Sequence, residues 1–278
     1  MSAHGPARDR VGVVSGAGTG VGRAIAAKFG ALGWRVAIGG RRTDRLAETV
    51  PLVEKAGGTC FAHELDVTDA DSIERFFRGA EAALGKVNVV INNAAVGRYG
   101  PLDEFSPSEI AVEIATKLTG SLLMARRGIQ TMRAEGAGGD ILFISSASAA
   151  QPWPFHLPYA AANAGVEHAA RILRQELEGT GIRVGVVRCG ETAGTEFSAR
   201  HQGTERMNAA MDYWFRRGLL RHAGVMTPDM VADAVAGIVT LPMTYQYDAV
   251  SVMPTAPVGA LPATYEGYVA EIMRLMAR

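Results

Sequence analysis

Residues 159 to 163 read YAAAN. A phenol transfers protons well only when something nearby favours its phenolate. Free tyrosine has a pKa of about 10, and a unit charge about 4 Å away at an effective dielectric near 20 contributes roughly 4 kcal/mol, or about three pK units. A lysine one helical turn after Tyr159 would supply that charge, but the chain has Asn163 there, an amide that cannot. A lysine lies upstream instead, as Lys117 in IATKLTGS.

A second chemistry lies near the start. Ser15-Gly16-Ala17-Gly18-Thr19-Gly20-Val21-Gly22 follows an apolar run and opens a helical pattern. Glycines in that context let the backbone turn sharply and approach a pyrophosphate at a helix N-terminus, so Gly16, Gly18, Thr19, Gly20, Val21 and Gly22 are candidate cofactor contacts. In such folds an acidic residue at the end of the second strand holds the adenosine ribose. Here that place reads Gly39-Gly40-Arg41-Arg42. With no carboxylate for a 2′-hydroxyl and a guanidinium able to grip a 2′-phosphate, the pattern favours NADP(H) over NAD(H). Arg41 is the better placed of the pair, with Arg42 stacking or facing water.

These residues need elements to position them. Runs rich in Val and Ile recur as VGVVSG, RVAIGG, NVVINN, DILFISS, RVGVVRC and DAVSVM. Helical patterns separate them: Gly22 to Leu32, Arg45 to Ala56, Asp69 to Leu84, Pro107 to Glu135, Tyr159 to Gly179 and Pro228 to Leu241. This alternation predicts an α/β fold, Rossmann-like and doubly wound, with a mostly parallel sheet covered by helices on both faces. TDAD from Thr68 and SPSE from Ser106 read as helix starts, the second a capping box with Pro at the first helical position. The stretch 191–225 breaks the rhythm and reads as an insertion covering the substrate, within a single domain over 11–278. Residues 1–10, MSAHGPARDR, are largely polar with no apolar run and are expected to be disordered.

The 28 basic and 28 acidic side chains cancel, which argues against nucleic acid or an anionic membrane surface as a partner. No stretch stays apolar for the eighteen or so residues of a membrane span. Cys60 and Cys189 stand far apart without metal-ligand spacing, so no metal is expected and a cytoplasmic setting suits them.

With the glycine loop at 15–22, Asn92-Asn93-Ala94-Ala95 after the fourth strand, Ser146 after the fifth and Tyr159 thirteen residues later, the chain resembles the short-chain dehydrogenase/reductase family over roughly residues 11 to 255. The resemblance implies that Tyr159 passes a proton to or from the substrate oxygen and that Ser146 hydrogen-bonds that oxygen. It implies cofactor contacts at Asp66, Val67, Asn93, Ala94 and Ala95, and beyond Cys189 at Gly190, Thr192 and Thr195. The family places a lysine where this chain has Asn163 and an asparagine where it has Lys117, on neighbouring helices linked through water. An exchange follows as the expectation: Lys117 supplies the charge and Asn163 the amide. The alternative is drift in a chain that has lost catalysis. The resemblance also implies a homodimer or homotetramer built through these helices, and the ending VSVMPTAP is similar to the subgroup acting on small hydroxy acids and related alcohols.

His156, three residues before Tyr159, is a group that would titrate near neutrality or line a pocket wall. Trp153, Phe155, Tyr99, Met211, Tyr213, Trp214 and Phe215 would build an apolar pocket for a bulky ketone or alcohol, or pack the insertion onto the body. Arg216, Arg217 and Arg221 read as a carboxylate site or a solvated helix face. The expected function is NADP(H)-dependent hydride transfer to or from a small-molecule carbonyl or secondary alcohol. The alternatives are a non-catalytic NADP(H)-binding module, against which the presence of both Ser146 and Tyr159 argues, and a lyase or isomerase on the same scaffold.

Overall fold

A computed structural model describes residues 10–136, 138–197 and 199–277. Residues 1–9, expected to be disordered, lie outside the described residues. Residue 10 corrects that boundary: Arg10 is buried, and its guanidinium donates to Asp140 at 2.9 Å and to the Val239 carbonyl at 2.7 Å.

Seven parallel strands form one sheet: β1 (Val11–Ser15), β2 (Arg35–Gly40), β3 (Thr59–Glu64), β4 (Val89–Asn92), β5 (Gly139–Ser146), β6 (Ile182–Cys189) and β7 (Ala249–Val252), in the order β3-β2-β1-β4-β5-β6-β7. The apolar runs are the strands, and β1 and β4 are buried along their whole length. β3 gives no apolar run because it is an edge strand whose residues are at most partly buried, so Thr59, His63 and Glu64 can face water. The chain winds outward from β1 to β3 and then returns to β4 beside β1. That reversal opens a crevice at the carboxyl ends of the strands.

Helices cover both faces: α1 (Gly20–Ala31), α2 (Thr43–Lys55) and α8 (Pro228–Val239) on one side, α3 (Ala70–Leu84), α4 (Pro107–Ile114), α5 (Gly120–Glu135) and α6 (Leu157–Glu176) on the other, with α7 (Ala199–Arg216) and α9 (Tyr265–Met276) above. Ile25, Phe29, Trp34 and Val235 fill the first core, Phe76, Phe77, Met124 and Phe143 the second. The two helix starts hold: Asp69 caps α3 by accepting from Asp71 N at 2.9 Å, and Ser106 forms its capping box with Glu109.

The single helix expected over 107–135 is broken. A π-helical turn, Ala115–Thr119, separates α4 from α5 and carries Lys117. Such turns concentrate at functional sites because the widened ladder re-aims side chains. α9 was not anticipated, yet its spacing was legible: Tyr265, Tyr268, Val269, Ile272 and Leu275 share one face and pack with Trp214 and Phe215 of α7. Among the described residues no helix is long and apolar enough to cross a membrane, and no group of three or more His, Cys, Asp or Glu could hold a metal ion.

Candidate active site

One cavity of about 570 Å³ runs along the crevice. Its left half is made of backbone. Gly16 and Gly20 have φ of +68° and +53°, which side-chain-bearing residues rarely adopt. A Cβ on Gly22 would meet the Gly16 carbonyl oxygen at 2.4 Å and Asn93 Nδ2 at 2.5 Å, so only glycine lets α1 approach the loop this closely. Thr19, the N-cap of α1, makes no side-chain capping bond, and no acidic residue occupies the first turn. The first N–H groups of α1 are thus left for an anion. These features fit the pyrophosphate of a dinucleotide.

Gly16, Gly18, Thr19, Gly20 and Val21 line the cavity, while Gly22 lies beneath the loop. Asp66, Val67, Asn93, Ala94 and Ala95 line it as well. Asn93 acts largely on the loop itself: its Nδ2 donates to the carbonyls of Ser15 and Gly16 at 3.0 and 3.2 Å. Asp66 Oδ1 accepts from Thr68 N and Oγ1 at 2.9 and 2.7 Å, which fixes the turn after β3. Arg41 is exposed at the cavity rim. Arg42 also lines the cavity and is partly open to water, and it pairs with Glu196 at 2.7 Å, a contact the sequence did not suggest. Gly190, Thr192 and Thr195 line the far wall, and Thr195 packs over Gly20.

The right half is made of side chains. Ser146 ends β5, directly opposite Cys189 on β6. Ser146 Oγ accepts from Ser148 N at 3.2 Å and lies 3.0 Å from Ser148 Oγ, so Ser148, unremarked in SSASA, orients it. Tyr159 comes from the first turn of α6. Burial pushes its pKa up, and hydrogen bonding from Ser146 offsets part of that rise. Cys189 stays a thiol, because burial pushes it up to about 12 against a smaller pull from Lys117.

Lys117 is 1% exposed and opens on the same cavity. Its ammonium donates to the carbonyl of Ile144, two residues before Ser146 on β5. Burial pulls its pKa down to about 8. No hydrogen bond joins it to Tyr159 among the described residues. Asn163 is fully buried and lies outside the cavity lining; its Nδ2 donates to the Tyr159 carbonyl at 2.9 Å, and its Oδ1 has no partner among the described residues.

His156 does not titrate near neutrality: burial pulls it down to about 3, so it is neutral. Tyr99, Trp153, Met211 and Trp214 line the cavity, whereas Phe155, Tyr213 and Phe215 pack α7 onto the body. Phe197, Glu191 and, from α9, Ile272 and Met276 also line it; sequence reasoning missed these four. Arg216 pairs with Asp212 at 2.9 Å and Arg217 lies over the Tyr213 ring; neither they nor Arg221 reach the cavity.

The family model for short chain dehydrogenases matches residues 10–206. A 3beta-hydroxysteroid dehydrogenase from Eggerthella lenta is 32% identical over 234 residues, spanning 84% of this chain and 87% of its own. A metagenomic short-chain oxidoreductase solved with NADP superimposes at a TM-score of 0.73 with 30% identity, over 89% of this chain and 98% of that one. A short chain dehydrogenase from Mycobacterium paratuberculosis, solved with NAD, gives 0.80 at 26% identity, over 90% and 97%. With its sheet order, its glycine-cradled crevice and these relatives, the chain belongs to the short-chain dehydrogenase/reductase family of nicotinamide-dependent oxidoreductases.

Proposed function

We propose that this chain is an NADP(H)-dependent oxidoreductase acting on a carbonyl or secondary alcohol of an apolar small molecule. In this reading Tyr159 moves the proton, Ser146 holds the substrate oxygen and Lys117 supplies the positive charge. The observation that carries it is a fully buried lysine, without a carboxylate partner among the described residues, opening on the cavity that Ser146 and Tyr159 share. A buried cation without a counter-charge is costly and persists where a site uses it.

When bound, the dinucleotide supplies or accepts a hydride at its nicotinamide. The loop at 16–21 and the N-terminus of α1 hold the pyrophosphate, and Arg41 takes the 2′-phosphate. Ser146 Oγ, held by Ser148, bonds the substrate oxygen while Tyr159 gives or takes its proton. The Lys117 stem lets its ammonium leave the Ile144 carbonyl for the space beside the phenol, lowering the pKa that burial has raised. Asn163 braces the first turn of α6 through the Tyr159 carbonyl.

The absence of an acid at the end of β2 supports NADP(H), while the relatives solved with NADP and with NAD support a nicotinamide cofactor of either kind. The apolar rings around the site suit a substrate like that named for the Eggerthella lenta relative, a hydroxysteroid. Exposed Leu122 on α5 and Ile172 on α6 suit a homodimer or homotetramer joined through these helices. The test is cofactor fluorescence on titration with NADPH and NADH, followed by NADPH oxidation against a panel of apolar ketones, steroidal ones included. Tighter NADPH binding with turnover of at least one ketone is expected. Binding without turnover across the panel would overturn the enzyme reading.

A further inference from the structure

His156 lies flat on the phenol it precedes. The two rings are stacked with centroids 4.4 Å apart and planes 14° from parallel. Tyr99 packs on the same imidazole at 4.4 Å, with Phe197 at 6.3 Å and Trp214 at 6.4 Å. The residue is 6% exposed, it belongs to the cavity wall, and its Nε2 has no hydrogen-bond partner among the described residues. Buried polar atoms in native proteins are almost always paired. A phenylalanine would stack on Tyr159 equally well without leaving a nitrogen unsatisfied, so packing alone does not explain an imidazole here. Burial keeps the ring neutral, which removes it as a proton carrier or an anion site and leaves a hydrogen bond as its chemistry.

We propose that His156 Nε2 recognises the substrate by pairing with a second oxygen, a hydroxyl or carbonyl one or two carbons from the reacting carbonyl, on a molecule otherwise apolar. The reacting oxygen goes to the Tyr159 hydroxyl, and the imidazole is the adjoining ring, its centroid 4.4 Å from that of the phenol, a separation that suits two oxygens on nearby carbons of one short chain. A hydroxyl suits either tautomer, because it both donates and accepts. The apolar remainder of the substrate fits Tyr99, Trp153, Met211 and Trp214. This deepens the oxidoreductase reading above and rests on it.

The test compares α-hydroxyacetophenone with acetophenone as substrates for the wild-type protein, His156→Phe and His156→Gln, each with NADPH. The readout is the ratio of kcat/KM for the two ketones, in which intrinsic reactivity cancels between variants. His156→Phe should lower that ratio by about tenfold or more, the range for a site whose hydrogen-bonding group is removed. His156→Gln, which keeps a hydrogen-bonding amide and loses the ring, should retain part of the preference. If both ketones fall together in His156→Phe, the ring merely props Tyr159 and the proposal is overturned. If wild type reduces neither ketone, the oxidoreductase reading is decided by the wider ketone panel above, and quenching of Trp153 and Trp214 fluorescence by phenylethanediol against its deoxy counterpart tests His156 separately. Tighter diol binding that His156→Phe abolishes supports the proposal; equal binding of the two sinks it.

Discussion

The two ends of the sheet treat buried charge in opposite ways. At the amino ends, Asp140 of β5 faces Arg183 of β6 in register, taking its Nε at 2.7 Å and Arg10 at 2.9 Å. Both guanidinium groups in that cluster meet the Asp140 carboxylate, although Arg183 Nη2 has no hydrogen-bond partner among the described residues. At the carboxyl ends, among the described residues, Lys117 donates only to a carbonyl, His156 Nε2 has no hydrogen-bond partner, and Glu191 meets the Tyr268 hydroxyl at a long 3.4 Å. Burial dominates both shifts, taking Lys117 down to about 8 against a smaller pull from Cys189 and Glu191 up to about 7 against the Tyr268 hydrogen bond. Burying charge is costly at both ends. At the amino ends the buried charges meet a counter-charge, and at the carboxyl ends Lys117, on the cavity wall, has no carboxylate partner among the described residues, the kind of perturbed group that a binding site uses.

The sharpest break in this contrast is Tyr159→Phe. It should lower kcat by about 10²- to 10⁴-fold, the share of positioned acid–base catalysis, with the thermal unfolding midpoint and NADPH affinity unchanged. Steady-state kinetics beside a thermal melt would show it. Asp140→Ala should do the reverse. Two guanidinium groups are left buried without a counter-charge, at a cost of about 3–5 kcal/mol, read as a lower urea midpoint, while the protein still folded keeps its NADPH affinity. A loss of turnover in Asp140→Ala without a loss of stability would erase the distinction between the two ends. Smaller again is Arg41→Ala, which should weaken NADPH about tenfold, the worth of one charge-assisted contact, and leave NADH unchanged. Equal weakening of both cofactors would place the 2′-phosphate elsewhere.

The left half of the cavity was legible because backbone makes it. A glycine at 22 is required by contacts to the Gly16 carbonyl and Asn93, and such requirements surface as a fixed residue type at a fixed spacing. β3 hid because an edge strand need not be apolar, and the helix over 107–135 concealed its π-helical turn because hydrophobic spacing does not register one extra residue in a turn. The right half depends on where long side chains end. Sequence placed Lys117 on the neighbouring helix, but only coordinates send its ammonium to Ile144 and show His156 stacked on Tyr159. The Glu196 partner of Arg42 comes from more than a hundred residues away, beyond the reach of any local pattern.

The account turns on Lys117 as the cation that serves Tyr159. The direct measurement is the pH dependence of kcat/KM for ketone reduction with NADPH in wild type and Lys117→Met. The Lys117 ammonium is charged below its pKa of about 8 and neutral above it, and only the charged form favours the phenolate that proton donation leaves behind. Wild-type activity should therefore fall as pH rises through about 8. Lys117→Met should be slower by on the order of tenfold to a thousandfold below that pH and should lack that limb. A Lys117→Met variant with the wild-type rate and the same falling limb would contradict the account.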